Sequence, residues 1–270
     1  MAILFLGALF ITGCASIEKP GKLEPVAEIR PGILQGYLPD DALPDSLALI
    51  PPPPVKGSAA MTLDQVISKD MLSLKDTPRW TLARDDADLM FPHAATIFSC
   101  ALDAPVTEQD TPHLYRLLRR TLADAGLSTY AAKNHYQRKR PFMVNGQATC
   151  TPEDEEHLRK DGSYPSGHAA IGWAWALILT EVSPQHGDAI LSRGREFGKS
   201  RVVCNAHWNS DVGEGIFMGS TAVARLHANR GFQADLAAAK LELAAVRAKG
   251  LKPDRDCSLE AAALAQTKGK

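Results

Sequence analysis

Residues 162–182 read GSYPSGHAAIGWAWALILTEV, and this stretch decides the fold. Its last fourteen residues, 169–182, are almost wholly apolar. A helix that is apolar on every face is normally surrounded by protein. Fourteen residues are too few to cross a bilayer as a helix. The stretch therefore predicts a central, buried helix in a helical domain.

The four residues before this helix, Pro165-Ser166-Gly167-His168, are typical of a helix start that binds an anion. The amides of Ser166 and Gly167 are expected to point outward, unpaired, at the positive end of the helix dipole. Gly167 has no Cβ to keep an oxyanion away from the backbone. The Ser166 hydroxyl is a further donor. The alternative is that Ser166 only caps the helix.

The rest of the chain is organised around this helix. Residues 1–14 form an apolar leader, 15–60 a Pro-rich extended arm, 61–250 a helical domain and 251–270 a C-terminal tail. Helix starts with proline in the first turn are predicted at Thr111-Pro112, Thr151-Pro152 and Ser183-Pro184. Alternating β patterns are scarce. We therefore expect an all-α protein with a single helical-bundle domain and an extended N-terminal arm.

The leader indicates export. It has secretory length, is too short to span a bilayer and ends in small residues, although no Lys or Arg precedes its apolar run. Ile11-Thr12-Gly13-Cys14 resembles a lipobox, in which Cys14 is lipidated. The expected location is periplasmic or secreted, with a possible membrane anchor through Cys14. The alternative is a buried hydrophobic N-terminal segment.

Composition and charge exclude some classes of protein. Of 270 residues, 45% are hydrophobic and 23% charged, which is ordinary for a globular chain. The net charge of −1 gives no reason to expect a nucleic-acid partner. Any selectivity for anions must therefore be local.

Besides Cys14 the chain has four cysteines, Cys100, Cys150, Cys204 and Cys257. In an exported chain they permit two disulfides with three possible connectivities. Free buried thiols are the alternative. No Cys-x2-Cys pair is present, so a structural zinc site is not expected.

Two further motifs supply cations and catalytic groups. The first is Lys-x6-Arg-Pro, from Lys133 to Arg140-Pro141, and the second is Ser-Arg-x5-His-x3-Asp, with Arg201, His207 and Asp211. Phosphoryl transfer spreads charge over three oxygens, and Lys133, Arg140 and Arg201 can neutralise it without a metal or cofactor. Taken alone, residues 133–140 are better explained as a solvated basic surface.

The two histidines need different roles. Asp211, four residues after His207, is expected on the same helical face, where it accepts from Nδ1 and leaves Nε2 free as the nucleophile. His168 then protonates the leaving alcohol, which predicts a bell-shaped pH profile. A single His-x3-Asp pair is otherwise usually a surface ion pair.

Together the three motifs resemble the signature of the type 2 phosphatidic acid phosphatase superfamily, which includes bacterial acid phosphatases and vanadium haloperoxidases. Five segments extend the resemblance, over about residues 35–245, to class A bacterial non-specific acid phosphatases: 45–54, 111–115, 132–136, 162–168 and 200–212. The resemblance implies a secreted, all-helical, metal-independent phosphomonoesterase that acts through a phosphohistidine and forms homo-oligomers. Ala169, where the family often has a hydroxyl residue, and the lipobox-like leader depart from it.

The sequence is compatible with four functions. The leading hypothesis is an acid phosphatase (EC 3.1.3.2) that hydrolyses small phosphomonoesters. A vanadate-dependent haloperoxidase would use His207 as a vanadium ligand, and a lipid phosphatase would act at the membrane face. A domain that only binds phosphate would not need two histidines and Asp211.

Overall fold

A computed structural model describes residues 23–267. The predicted leader and the predicted lipidation site at Cys14 lie outside these residues. The N-terminal arm begins with a small antiparallel hairpin of β1 (Glu28–Arg30) and β2 (Ile33–Leu34). Farther along the arm, the backbone amides of Tyr37 and Leu38 both donate to the carboxylate of Asp124 at 2.9 Å. These hydrogen bonds hold the arm against the helical body.

The remaining regular structure of residues 23–267 is helical, which confirms the predicted all-α class. The helices are α1 (Ser46–Leu49), α2 (Ala59–Leu72), α3 (Pro78–Asp85), α4 (Ser99–Leu102), α5 (Pro112–Leu127), α6 (Tyr130–Tyr136), α7 (Pro141–Asn145), α8 (Glu155–Leu158), α9 (Gly167–Val182), α10 (Gly187–Val203), α11 (Asn209–Leu226), α12 (Arg230–Ala248) and α13 (Cys257–Ala265). No helix in this part of the chain is long and apolar enough to span a membrane.

Helix α9 is the central helix that the sequence predicts. It packs against α5, α10, α11 and α12. Trp175, Ile178 and Leu179 are buried in the main core, where the Trp175 indole also donates to the carbonyl of Leu118 at 3.0 Å. A helix surrounded in this way is a rigid base for the residues at its N-terminus.

Close packing of α11 on α9 depends on Gly215. A Cβ at this position would lie 2.4 Å from the carbonyl oxygen of Ser166, so no larger residue fits without a shift of the backbone. The two helices therefore meet at the start of α9. This contact brings the loop before α11 next to the Ser166-Gly167 turn.

The four cysteines of the body form two disulfides, Cys100–Cys257 and Cys150–Cys204. This pairing is one of the three that the sequence left open. The first disulfide ties α13, which lies in the segment interpreted as a tail, to α4. The second lies three residues before His207 and links the loop that carries this histidine to the segment after α7.

Candidate active site

The three sequence motifs meet in one cleft of about 350 Å³. Lys133 comes from α6, Arg140 from the residue before α7, and Gly167 and His168 from the first turn of α9. Arg201 lies in the last turn of α10, and His207 in the loop before α11. All six line the cleft, whereas Ser166 and Asp211 are buried behind it.

Lys133 and Arg140 share a counter-ion that sequence reasoning missed. The Lys133 ammonium donates to the carbonyl of Gly162 at 2.6 Å and lies 3.3 Å from the carboxylate of Asp161. Arg140 Nη2 donates to the same carboxylate oxygen at 2.9 Å. Burial is the main cause, and the charge of the nearby Arg140 the next, that together lower the pKa of Lys133 to about 8. Lys133 therefore remains a cation at neutral and acidic pH.

Arg201 differs from the other two cations in having unpaired donors. Its Nε and Nη1 atoms are buried and have no hydrogen-bond partner within residues 23–267. Leaving such a donor unpaired costs about 1–3 kcal/mol or more for a charged group. Burial, then Arg140, lowers the pKa of Arg201 to about 10, so the side chain stays charged at acidic pH. A buried guanidinium with free donors is suited to an anion with several oxygens.

The pairing of His207 with Asp211 is present, but the predicted helical face is wrong. His207 lies in the loop, Trp208 is the N-cap residue of α11, and Asp211 is the third residue of this helix. His207 Nδ1 lies 3.4 Å from Asp211 Oδ2. On the other side of the ring, Arg140 Nη1 lies 2.9 Å from Nε2. Because guanidinium only donates, Nε2 carries the lone pair and Nδ1 the hydrogen.

Two side chains that hold Asp211 were not among the predicted site residues. Arg138 Nη1 donates to Asp211 Oδ1 at 2.6 Å, and the Ser163 hydroxyl donates to Oδ2. The backbone amide of Trp208 also donates to Oδ2, at 2.8 Å. Arg138 lies in the basic stretch 133–140 and Ser163 in the stretch 162–168, but nothing in their spacing links them to Asp211. They fix the carboxylate that orients His207.

The start of α9 only partly matches the expectation. Ser166 caps the helix, since its hydroxyl oxygen accepts from the amide of Ala169 at 3.2 Å. Its own amide donates to the carbonyl of Asp211 at 2.9 Å, so the prediction that this amide is unpaired is wrong. Gly167 faces the cleft, and a Cβ there would contact nothing closer than 3.6 Å. Packing within the protein thus does not require glycine, whereas approach of a ligand to the backbone does.

His168 has one nitrogen fixed and one open. Its Nε2 lies 3.0 Å from the backbone carbonyl of Ala87, which can only accept, so Nε2 carries a hydrogen. The part of the chain that the structure describes forms no hydrogen bond to Nδ1. Burial, and to a smaller extent the positive charge of Arg201, hold the pKa of His168 well below its ordinary value. Burial, and to a smaller extent the positive charge of Arg140, lower the pKa of His207 in the same way. Both imidazoles are therefore neutral in the free protein.

These two buried histidines predict how stability depends on pH. Their folded-state pKa values lie below the unfolded value of about 6.5, so the unfolded chain binds more protons in acid. Each histidine therefore lowers the free energy of unfolding by up to about 1.4 kcal/mol per pH unit below about pH 6.5. The free energy of unfolding, measured by chemical denaturation without phosphate at several pH values, should therefore fall less steeply with decreasing pH in His207→Asn than in the parent. His135→Asn, which replaces an exposed histidine, is the control. The same pH dependence in His207→Asn as in the parent would contradict a lowered pKa of His207 in the folded protein.

Comparison with known proteins places this chain in a defined class. The sequence profile of the PAP2 superfamily matches residues 116–233, which include every predicted site residue. The chain is 43% identical over 248 residues to a non-specific acid phosphatase of Providencia stuartii, covering 92% of this chain and 98% of the relative. It is 42% identical to an acid phosphatase of Zymomonas mobilis subsp. mobilis, over 78% of this chain and 80% of the relative. A non-specific acid phosphatase of Salmonella typhimurium is 42% identical over 72% of this chain and 78% of its own length.

The protein is thus a member of the PAP2 superfamily. Within it, the chain belongs to the class A bacterial non-specific acid phosphatases, and it is a phosphoric monoester hydrolase. The predicted family and enzyme class are confirmed. The roles of the individual site residues remain predictions.

Proposed function

We propose that this acid phosphatase hydrolyses small phosphomonoesters without a metal, through a covalent phosphohistidine on His207. The observation that carries the proposal is the surroundings of His207 Nε2. This atom carries the lone pair of the ring, which accepts from Arg140 Nη1 in the free protein. It lies in a cleft with Lys133, Arg140 and Arg201, and the Nδ1 atom of the same ring faces Asp211. A nucleophile among cations with an orienting carboxylate is what phosphoryl transfer to a side chain requires.

In the first step, the substrate phosphate binds to the three cations and to the amide of Gly167. Arg140 Nη1 exchanges its contact with His207 Nε2 for a phosphate oxygen, which frees the lone pair. Nε2 attacks phosphorus, and the bond to the ester oxygen breaks. The leaving oxygen keeps the bonding electrons and takes a proton from Nδ1 of the His168 imidazolium. The products are the alcohol, neutral His168 and phosphohistidine.

In the second step, neutral His168 Nδ1 accepts a proton from water while the water oxygen attacks phosphorus. The P–N bond breaks, and its electrons return to His207 Nε2. Inorganic phosphate leaves, and His168 is an imidazolium again. Asp211 stabilises the charge that develops on His207 during both steps.

Acid preference follows from the pKa of His168. In the free protein, burial and Arg201 keep this pKa well below its ordinary value. The negative charge of bound substrate favours the protonated form and raises the pKa. Binding of substrate is therefore linked to uptake of a proton, which is easier at acidic pH.

The positive charge of the cleft comes from side chains. Among residues 23–267, no group of three or more His, Cys, Asp or Glu side chains is arranged to hold a metal ion. We therefore expect p-nitrophenyl phosphate to be hydrolysed at mildly acidic pH in the presence of EDTA. Loss of activity on chelation and its return with added metal would contradict the metal-independent mechanism.

Two further assays separate the alternative functions. Turnover of phosphatidate micelles far above that of a soluble ester favours a lipid phosphatase. Bromination on addition of vanadate and peroxide, without ester hydrolysis, favours a haloperoxidase. We expect neither, and a bell-shaped dependence of kcat/KM on pH between about pH 4 and about pH 9.

We further propose that the chain is exported and works as a homo-oligomer. The two disulfides support export, since such bonds persist in oxidising compartments. Fractionation of cells that express the parent and Cys14→Ser chains tests location and the proposed anchor together. Light scattering of the purified protein tests its oligomeric state.

A further inference from the structure

Asp86 is a fully buried carboxylate outside the described cleft. It follows the last residue of α3. Both terminal nitrogens of Arg193 donate to it, with Nη1 at 3.2 Å from Oδ2 and Nη2 closer to Oδ1. The hydroxyl of Ser200 donates to Oδ2 at 2.5 Å. A carboxylate bound from two positions of one helix, α10, has little freedom to move.

This carboxylate lies between two groups of the active site. The residue after Asp86 is Ala87, whose carbonyl accepts from Nε2 of His168 at 3.0 Å. The residue after Ser200 is Arg201, the cation with free donors. Asp86 therefore fixes the loop that holds His168 relative to the helix that carries Arg201.

Other buried groups stiffen this connection. Arg79 Nη1 donates to the hydroxyl of Ser200 at 2.9 Å. Arg193 Nε lies 3.4 Å from a carboxylate oxygen of Glu260 on α13, the helix that the Cys100–Cys257 disulfide ties to α4. The connection thus extends from the C-terminal helix to the cleft.

We propose that Asp86 is a positioning residue for the proton donor. By holding the Ala87 carbonyl in place, it keeps Nε2 of His168 occupied and turns Nδ1 toward the oxygen of the leaving group. This inference rests on the proposed role of His168 as the general acid. Asp86 itself does not touch the substrate.

A positioning role has a signature that a merely structural role lacks. A basic alkoxide leaves only if it is protonated, whereas a nitrophenolate of low pKa leaves without help. Misplacing the proton donor should therefore affect alkyl phosphates strongly and activated aryl phosphates weakly. Because kcat/KM covers the steps up to release of the alcohol, this quantity reports the effect.

The test compares Asp86→Asn with the parent on glycerol 2-phosphate, p-nitrophenyl phosphate and 2,4-dinitrophenyl phosphate. We expect kcat/KM to fall by about 10²-fold on the glycerol ester and by less than about tenfold on the dinitrophenyl ester. Inhibition by inorganic phosphate should change little. The matched control is Asp85→Asn, which removes a partly exposed neighbouring carboxylate paired with Arg255. Any change in its kcat/KM should be the same for all three esters. Equal losses on all three esters, or no loss, would overturn the proposal.

Asp86→Asn removes the carboxylate that pairs with the two terminal nitrogens of Arg193 and can impair folding. Ser200→Ala removes one hydrogen bond to Asp86 and the acceptor of Arg79 Nη1, but leaves the ion pair of Asp86 with Arg193 intact. Its loss of kcat/KM should be smaller and should again be largest on the glycerol ester. If Asp86→Asn does not fold, equal losses in Ser200→Ala overturn the proposal. His168→Asn separates the two levels of inference. If the loss of kcat/KM in His168→Asn is equal on all three esters, His168 is not the general acid. If this loss depends on the leaving group in His168→Asn but not in Asp86→Asn, only the role of Asp86 is wrong.

Discussion

Replacing His207 with alanine lowers kcat for p-nitrophenyl phosphate by about 10⁴-fold or more, as expected when a covalent nucleophile is removed. Nε2 is the ring atom that lies among the cations, and Asp211 is held in place behind it by Arg138 and Ser163. Alanine removes the attacking atom and leaves the cations in place.

The measurement is steady-state turnover at mildly acidic pH, with binding of inorganic phosphate as the control. Phosphate should still bind to His207→Ala, since Lys133, Arg140 and Arg201 remain. A variant that keeps more than about a tenth of the parental kcat would exclude His207 as the nucleophile.

Replacing Arg201 with alanine is expected to lower kcat/KM by about 10²–10³-fold, the range seen when a donor to a developing oxyanion is removed. Its Nε and Nη1 atoms have no partner within the described chain, so their donors are available to phosphate oxygens. Arg201→Lys should recover only part of the activity, because lysine restores the charge but cannot make the bidentate hydrogen bonds of a guanidinium.

Thermal unfolding provides the second readout for Arg201. The parent should be stabilised by added phosphate, because a ligand that binds only the folded state raises Tm. This shift should be lost in Arg201→Ala and kept in Arg195→Ala, which removes an exposed arginine from the same helix. An undiminished shift in Arg201→Ala would show that Arg201 does not bind the anion.

Helix α9 and its start were predictable because they depend on local sequence. Residues 169–182 are apolar on every face, and Ser166 is a good capping residue directly before them. The same local rules predicted the starts of α5 and of the turn at Pro184. Neither prediction required knowledge of distant contacts.

The helical face of His207 and Asp211 shows where local rules are ambiguous. An acidic residue four positions after a histidine fits one helical face. It equally fits a helix start in which the acidic residue is at the third position and reaches back to the N-cap amide. The structure has the second arrangement, with Asp211 accepting from the amide of Trp208. In both arrangements the carboxylate lies near the ring. The contact between His207 and Asp211 is therefore present, although His207 lies in the loop and not in the helix.

Residues whose role depends on long-range contacts are not predictable from local sequence. Asp86 is more than 80 residues before His168 in sequence, and only the packing of α3 on α10 brings its loop to the cleft. Asp161 was missed for a different reason, because a carboxylate is not expected in an anion site. Its contacts show that it is a shared counter-ion of Lys133 and Arg140 in the free protein.

The central claim is that phosphate is transferred to His207, and trapping the phosphorylated protein tests it most directly. The parent is mixed with a radiolabelled phosphomonoester, denatured rapidly in alkali, where phosphohistidine survives, and digested for mass spectrometry. We expect the label on the peptide that contains His207, in an amount matching an initial burst of alcohol, and none on His207→Ala. Label on another residue, or a burst of alcohol without any labelled peptide, would contradict the mechanism.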